Sequence, residues 1–257
     1  MDETYQVYIN RLARLTLPAT YQTQLQNIQK SPKFKEGKAV PFPGYSTITP
    51  PGAEDSDNKT FYKNLETTQQ QILQQLDPGL LIPIPANSFH FTVADLIWDN
   101  AYKQSVTENP DFDRQLQKSI QECFHNYQQT ITQSSLSQWQ LMGLIVLPRA
   151  LAVGLVPKDE LDYEKLLQLR RAVYQNSSLI ALGIEQQYYF TAHITLGYFG
   201  EISPDLDRDR LLHILSSFND RWLETEPQIL TVRQVQLRKF DDMIVYRREP
   251  DWSLVEL

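Results

Sequence analysis

The chain has 257 residues, which is enough for one large domain or two small ones with a substantial hydrophobic core. Its formal net charge of −7 argues against an extended surface for long RNA or DNA, because such surfaces usually carry an excess of basic residues, although it is compatible with a local basic pocket. Cys123 is the only cysteine, so an intrachain disulfide and a cysteine-rich zinc site are excluded. We expect a cytoplasmic protein with no membrane partner, because the N-terminus shows no signal pattern and the longest apolar run, residues 141–147, is too short for a bilayer span.

Two helices are predicted at the beginning of the chain. Apolar residues recur at helical spacing through residues 3–16. Pro18 suits the first turn of a second helix, whose apolar stripe holds Tyr21, Leu25 and Ile28. We interpret residues 1–35 as a helical extension that packs on a single domain formed by residues 36–257.

Proline and glycine are frequent in residues 30–58, where only residues 45–49 resemble a strand. A loop of this length is either a lid over a site or an ordinary surface loop, and the sequence is compatible with both. A helix is predicted over residues 59–76, with Asp57 as its N-cap. The glutamines at 69–71, 74 and 75 are interpreted as its solvated face.

After residue 79 the sequence predicts strands and helices in alternation. The predicted strands cover residues 80–84, 89–96, 139–147, 151–156, 188–198, 229–237 and 243–247. Helices are predicted over 110–131 and 204–223, and a third begins at Pro157 or Asp159. The order helix, strand, helix, strand occurs in both halves, which favours an α+β chain with two pseudo-repeated lobes around one cleft.

Several residues that could carry chemistry have a simpler interpretation. His125 and His213 lie beside the apolar stripes of predicted helices, and we interpret both as structural. Basic residues concentrate near the C-terminus, where one or two could reach a phosphate, but charge on a solvated edge strand explains them more simply. These residues are Arg233, Arg238, Lys239, Arg247 and Arg248.

The other two histidines begin the same four-residue pattern. His90-Phe91-Thr92-Val93 and His193-Ile194-Thr195-Leu196 both read His, apolar, Thr, apolar (an HxTx motif). On this composition, two such matches among four histidines would arise by chance roughly once in a thousand sequences. Because side chains alternate along a strand, each tetrad presents an imidazole and a hydroxyl on one face and two apolar side chains on the other.

Two imidazoles that face one phosphorus atom could act as an acid and a base. Imidazole titrates near pH 6.5 when unperturbed, so a fold can hold one ring neutral and the other protonated at about pH 7. The neutral ring would take a proton from water and the protonated ring would give one to the leaving oxygen. The two threonine hydroxyls would donate hydrogen bonds to the non-bridging oxygens, and this scheme requires no metal and no cofactor.

Other catalytic arrangements fit the sequence less well. A P-loop, a Rossmann glycine fingerprint and a Gly-x-Ser-x-Gly nucleophile elbow are all absent. The two histidines could ligate a metal together with carboxylates from elsewhere, but no His-x-His or His-x-x-x-His spacing supports this.

The two tetrads resemble the paired signature of the two-histidine (2H) phosphoesterase superfamily, which includes bacterial RNA 2′,3′-cyclic phosphodiesterases, often labelled 2′-5′ RNA ligases. The resemblance covers about residues 36–250, and its specific part is the tetrads. Pro41-Phe42-Pro43-Gly44 and residues 192–199 resemble an uncharacterised bacterial branch of the superfamily. The resemblance implies a bilobal α+β fold, with two pseudo-repeated antiparallel sheets flanked by helices around a central cleft.

The resemblance further implies that His90 and His193 are the acid/base pair, with neither assigned as the base, and that Thr92 and Thr195 bind phosphate. The implied enzyme is a metal-independent phosphodiesterase that hydrolyses a cyclic phosphodiester on a nucleotide, an RNA end or a related small molecule. We expect a monomer that acts on a small nucleotide or a short RNA end and not on DNA.

Two alternatives stay open at this point. The same cleft could bind a nucleotide or phosphate without turnover, or the chain could be a scaffold protein in which the two His/Thr faces lie far apart. Tyr45, Tyr198 and Phe199 are the candidates for stacking on a base.

Overall fold

Two antiparallel sheets of five strands each lie at the centre of the computed structural model, which describes residues 2–130 and 136–257. The strands described are β1 (Phe34–Lys35), β2 (Lys38–Ala39), β3 (Gly44–Ile48), β4 (Leu81–Pro83), β5 (Thr92–Trp98), β6 (Ser137–Leu147), β7 (Ala150–Pro157), β8 (His193–Phe199), β9 (Ile229–Val232), β10 (Gln234–Phe240), β11 (Tyr246–Arg247) and β12 (Leu254–Glu256). The helices described are α1 (Tyr5–Leu15), α2 (Pro18–Gln24), α3 (Lys59–Leu73), α4 (Asp99–Glu108), α5 (Phe112–Thr130), α6 (Glu160–Tyr174), α7 (Ser177–Ala181) and α8 (Arg208–Leu223). None of these helices combines the length and the apolar character that a membrane span requires.

The two tetrads lie on different sheets. The first sheet has the order β11-β10-β3-β5, with β12 also paired to β10, and the second has the order β4-β8-β7-β6-β9. β5 begins at Thr92, the third residue of the first tetrad, and β8 begins at His193, the first residue of the second. One His/Thr pair therefore belongs to each sheet, with His90 in the segment that leads into β5. The α+β fold with two antiparallel sheets, predicted from the sequence, is confirmed.

Several predicted strands have different bounds in the structure, and the predicted strand 243–247 is reduced to β11, Tyr246–Arg247. The predicted strand 229–237 is interrupted at Arg233, because β9 belongs to the second sheet and β10 to the first. The predicted strand 188–198 begins only at His193, and the predicted strand 89–96 begins only at Thr92. His90 therefore lies immediately before its strand rather than in it, after a short 3-10 turn formed by residues 86–88.

The apolar residues of the tetrads belong to one shared core. Phe91, Val93, Ile194 and Leu196 are completely buried, as the strand alternation predicted. Phe91 packs on Trp139 of β6 with the ring centroids 5.2 Å apart. Burial of each such side chain stabilises the fold by about 2 kcal/mol, and it also fixes which face of each strand carries the histidine.

The helices depart from the sequence predictions at several places. The helix predicted to begin at Pro157 or Asp159 is α6, and Asp159 is its N-cap, because the Asp159 carboxylate accepts a hydrogen bond from the Asp162 amide at 2.9 Å, whereas Pro157 ends β7. Asp57 does not cap α3: Asn58 precedes this helix, and the Asp57 carboxylate instead forms an ion pair with Arg233 at 2.8 Å. The whole of α4 was missed, because Tyr102 is its only fully buried apolar residue.

Two further details concern α3 and α5. Gln69 is not on a solvated face: it is 6% exposed, and its amide donates to the carbonyl oxygens of Ile84 and Leu196 at 2.8 and 2.6 Å. The helix predicted over 110–131 is α5, and its predicted last residue, Ile131, lies outside the described residues.

The N-terminal helices are joined to the second sheet by buried hydrogen bonds. The Tyr8 hydroxyl donates to the Leu155 carbonyl at 2.8 Å and accepts from the Ala192 amide at 3.1 Å. The Tyr21 hydroxyl donates to the Leu144 carbonyl. Because Ala192 directly precedes His193, α1 contacts the backbone that carries the second tetrad. The division of the chain at residue 35 stays a prediction.

Candidate functional site

A cleft of about 600 Å³ has walls from both sheets, and all four tetrad residues proposed from the sequence line it. His90 and Thr92 come from the first sheet's side and His193 and Thr195 from the second. All four side chains are partly exposed, whereas the apolar residues between them are buried. The scaffold alternative required the two His/Thr faces to lie apart, and the structure places them together.

A β-bulge occurs at the last residue of each tetrad. In β5, Ala94 and Thr92 pair with the adjacent residues Thr47 and Ile48, so Val93 is the extra residue. In β8, Gly197 and Thr195 pair with the adjacent residues Leu151 and Ala152, so Leu196 is the extra residue. A bulge shifts the alternation of side chains by one residue. The side chain five positions after each histidine therefore reaches the cleft.

These two side chains are Asp95 and Tyr198, and both line the cleft. Tyr198 was among the three residues proposed from the sequence to stack on a base. The other two lie outside the cleft: Tyr45 is fully buried against Tyr102, and Phe199 is 2% exposed. Asp95 was not predicted, because strict alternation from Thr92 would have turned it into the core.

The two imidazoles are held by the same local contact. His90 Nδ1 lies 2.8 Å from the Ser88 carbonyl oxygen, and His193 Nδ1 lies 2.6 Å from the Thr191 carbonyl oxygen. A carbonyl oxygen only accepts hydrogen bonds, so Nδ1 carries the hydrogen in both rings. In the neutral state Nε2 is then the basic nitrogen, and in the protonated state Nε2 is the donor. Each ring thus has one nitrogen for orientation and one for chemistry.

The cleft disfavours the charged form of both histidines. Burial lowers the pKa of His90 from about 6.5 to about 4; the hydrogen bond to Ser88 opposes this shift, as does the charge of Asp95, while His193 and Arg238 add to it. Burial also lowers the pKa of His193, with Thr191 and Asp95 opposing the shift and Lys33 adding to it. Because an anion near an imidazole favours its protonated form, a bound phosphate diester would raise both pKa values.

Among the described residues that line the cleft, Asp95 is the one with an acidic side chain. Its carboxylate accepts hydrogen bonds from the Ser46 hydroxyl at 3.2 Å and from the Tyr188 hydroxyl. The same charge raises the pKa of both histidines. Asp95 therefore stabilises a proton on either imidazole without a direct ion pair to them.

The backbone of the first bulge is fixed from behind by α6. The Arg170 guanidinium, which is 4% exposed, donates to the Val93 carbonyl oxygen. The Tyr174 hydroxyl donates to the Asp95 carbonyl oxygen at 2.8 Å. These bonds satisfy carbonyl groups at the irregular part of the edge strand β5. They hold the segment that carries Thr92 and Asp95.

The C-terminal basic residues do not line the cleft. The prediction of solvated edge-strand charge is wrong for Arg238, because β10 lies inside the first sheet and the side chain is 3% exposed. Arg238 donates to Glu54, to the Gln236 side chain and to the Tyr246 carbonyl. Lys239 forms an ion pair with Asp113 at 2.5 Å.

The proline-rich segment 30–58 forms part of the cleft wall. Ser31, Lys33 and Phe42 line the cleft, so for these residues an ordinary surface loop is the wrong interpretation. Ser46 also lines it, from the segment 45–49 that was predicted as a strand. Lys33 also falls within the segment interpreted as an N-terminal extension. The sequence contained no signal for this, because a loop has no periodicity that aims its side chains.

The remaining histidines lie away from the cleft. His125 and His213 are exposed on α5 and α8, and His125 Nε2 contacts the Gln129 side chain at 2.8 Å. Within residues 2–130 and 136–257, no group of three or more His, Cys, Asp or Glu side chains is arranged to hold a metal ion.

Comparison with solved structures shows a shared fold at low sequence identity. A conserved protein of unknown function from Agrobacterium tumefaciens, ATU0111, is 16% identical with a TM-score of 0.59, over 85% of this chain and 90% of that chain. Escherichia coli LigT complexed with 3′-AMP is 14% identical with a TM-score of 0.46, over 84% of this chain and 98% of that chain. TT0787 of Thermus thermophilus is 14% identical with a TM-score of 0.46, over 83% and 94% of the two chains.

No protein-family model matches the sequence, and no curated protein sequence matches it either.

Proposed function

We propose that this chain, with its paired tetrads on a 2H-phosphoesterase-like fold, is a metal-independent phosphodiesterase that hydrolyses a cyclic phosphodiester, such as a nucleoside 2′,3′-cyclic phosphate or an RNA end of that kind. One observation carries the proposal: two His/Thr pairs from separate sheets line one cleft, and each imidazole is oriented by the carbonyl two residues before it. General acid–base catalysis needs this arrangement, in which two titratable nitrogens face one reacting group.

The reaction is an in-line displacement at phosphorus. Nε2 of one neutral histidine takes a proton from water as the water oxygen bonds to phosphorus. The bond from phosphorus to one ribose oxygen breaks, and that oxygen receives a proton from Nε2 of the other, protonated histidine. The product is a phosphate monoester beside a free hydroxyl. Thr92 and Thr195 donate to the two non-bridging oxygens, where negative charge is held during the transfer.

The rest of the cleft suits a nucleotide. Its volume of about 600 Å³ falls in the range of pockets that enclose small ligands. Trp98 lines the cleft and is partly exposed, so its ring offers a base a surface for stacking, whereas Lys33 lies over the rings of Phe42 and Tyr198.

A second candidate is a binding module that holds a nucleotide or phosphate in the same cleft without turnover. The specific observation in its favour is that burial lowers the pKa of both histidines, which disfavours the protonated imidazole that the displacement needs as its acid. Turnover then requires the ligand itself to raise one of these pKa values.

The test is a screen of the purified chain, with EDTA present, against the four nucleoside 2′,3′-cyclic phosphates and oligonucleotides that end in a cyclic phosphate. Products are separated by chromatography and identified as 2′- or 3′-monophosphates. Hydrolysis of at least one substrate is expected. Saturable binding by calorimetry without any hydrolysis would overturn the enzyme proposal in favour of the binding module.

A further inference from the structure

Two cations of the cleft have no role in the proposed displacement. Lys33 lies in the segment after α2, and Arg149 lies in the turn between β6 and β7; both line the cleft. Neither forms an ion pair with a carboxylate within residues 2–130 and 136–257. Arg149 instead contacts the Gln29 side-chain oxygen at 3.2 Å.

Lys33 is held between aromatic rings rather than beside an acid. Its Nζ lies 4.7 Å from the centroid of the Phe42 ring and 5.0 Å from that of Tyr198, and 3.5 Å from the Tyr198 hydroxyl. Burial lowers the pKa of Lys33; Asp95 opposes the shift and Arg149 adds to it. Lys33 is only partly exposed and has no carboxylate of the described residues in direct contact, so an anionic ligand would offset the hydration that the aromatic rings displace.

The two cations lie on the same side of the cleft as the second tetrad. Tyr198, which contacts Lys33, is the residue that the bulge after Thr195 brings into the cleft. Ala150, the neighbour of Arg149, pairs with Tyr198 in the β7–β8 ladder. The charge of Lys33 also acts on His193. The positive charge therefore lies on the side of the cleft that carries His193 and Thr195, and it comes from residues outside the two tetrads.

We propose that Lys33 and Arg149 form a second anion subsite, so that the substrate is a nucleotide bearing another phosphate besides the cyclic one. This inference rests on the proposed function. The two threonines and the protonated histidine already provide donors for the two non-bridging oxygens and the leaving oxygen of a cyclic phosphate, which carries a single negative charge. Two further cations match a second phosphate, either a 5′-monoester on a mononucleotide or the 5′-diester that joins the last residue of an RNA.

The kinetic test compares three substrates that share one base: adenosine 2′,3′-cyclic phosphate, its 5′-phosphorylated form, and the dinucleotide ApA ending in a 2′,3′-cyclic phosphate. Hydrogen bonds to charged groups predict a preference of about tenfold or more in kcat/KM for a substrate with the second phosphate. A preference for the 5′-phosphorylated mononucleotide would identify the second phosphate as a monoester, and a preference for the dinucleotide would identify it as a diester. Equal kcat/KM for all three substrates would overturn the inference.

The variants Lys33→Met and Arg149→Met should bring this preference ratio towards one. The matched control is Lys30→Met, which removes an exposed lysine of the same segment that pairs with Glu201 and does not line the cleft. It should keep the wild-type ratio. If Lys33→Met lowers kcat/KM equally for all three substrates, Lys33 contacts the cyclic phosphate and the second subsite is wrong.

A binding measurement separates this inference from the proposed function. Calorimetry compares adenosine 3′,5′-bisphosphate with adenosine 3′-monophosphate, neither of which requires turnover. Tighter binding of the bisphosphate by about tenfold, lost in Lys33→Met, supports the subsite even if no cyclic phosphate is hydrolysed. Equal affinity for the two ligands, or no binding of either, would overturn it.

Discussion

The Arg170 guanidinium donates a hydrogen bond to the carbonyl oxygen of Val93, the extra residue of the bulge in β5. Arg170 is buried below the sheet and lies over the Phe190 ring, with its Cζ 4.4 Å from the ring centroid. Val93 ends the first tetrad, so this contact fixes the backbone between Thr92 and Asp95. The bulge interrupts the regular pairing here, and as a result the side chains of Thr92 and Asp95, three residues apart, both line the cleft.

Arg170 is accordingly a positioning residue. We expect Arg170→Met to lower kcat/KM about tenfold or more, because a small displacement of Thr92 and Asp95 spoils the alignment of the phosphate. Arg170→Lys should restore part of the activity, since it keeps a donor near the Val93 carbonyl.

The matched control for that prediction is Arg171→Met, because Arg171 is the next residue of α6 and pairs with Asp2 at the surface. Its kinetics should equal those of the wild type. Unchanged kinetics in Arg170→Met, with a normal circular dichroism spectrum, would show that the bulge does not depend on this contact.

Asp95 sets the pH at which the histidines work. Its charge raises the pKa of both rings, so Asp95→Asn should lower both values. The base then stays neutral to a lower pH and the acid loses its proton at a lower pH. Both limbs of the bell-shaped profile of kcat/KM should move to lower pH. The profile is measured beside Asp99→Asn, which removes an acid outside the cleft that pairs with Lys103. A shift of either limb to higher pH would contradict this role.

The depressed pKa of His90 also predicts an effect on stability. The unfolded chain binds a proton at this residue below about pH 6.5, whereas the folded chain binds it only near pH 4, so the folded state loses stability as the pH falls through that window. In His90→Asn this contribution is absent, and the free energy of unfolding should fall less steeply. Between about pH 7 and 4, the wild type should lose on the order of 1 kcal/mol more of its free energy of unfolding than His90→Asn, a figure that allows for screening by solvent in the cleft. Urea unfolding of both proteins at intervals between about pH 7 and 4 measures it, and parallel curves would contradict it.

Tyr8 joins α1 to the strand of the second tetrad. Tyr8→Phe removes a donor to the Leu155 carbonyl and an acceptor for the Ala192 amide, both buried. We expect the free energy of unfolding to fall by about 1–3 kcal/mol, because two buried backbone groups lose their partner. Tyr5→Phe is the control, since the described residues give its hydroxyl no hydrogen bond and its ring also contacts Tyr163. Equal unfolding midpoints for the two variants would contradict the expected difference.

The sequence predicted the parts of the site that depend on alternation. Two polar residues separated by one apolar residue share a face of an extended segment, so the imidazole and the hydroxyl of each tetrad could be placed side by side. The expectation that the two pairs share one cleft came from the repeated element order and the resemblance, because alternation within one strand does not relate two strands. The same reasoning placed Phe91 and Ile194 in the core. In the structure the four polar side chains line the cleft and the two apolar side chains are buried.

The residues that were missed depend on irregular backbone or on loops. Asp95 reaches the cleft only because of an extra residue at Val93, which places the adjacent residues Val93 and Ala94 both in the core, and the assumption of strict alternation did not allow for this. Lys33 reaches it from a loop whose course is set by tertiary contacts, including the Ser31 amide bound to the Phe199 carbonyl at 2.8 Å. The exchange of sheets at Arg233 was missed although the apolar alternation changes phase there, from Leu230 and Val232 in β9 to Val235 and Leu237 in β10.

The most direct test of the central claim is the hydrolysis of the preferred nucleoside 2′,3′-cyclic phosphate by His90→Ala and His193→Ala, with EDTA present and the fold checked by circular dichroism. Each variant should lose about 10²–10⁴-fold in kcat/KM, because each removes one of the two proton-transfer groups. Full activity in either variant would contradict an acid and a base drawn from the two tetrads.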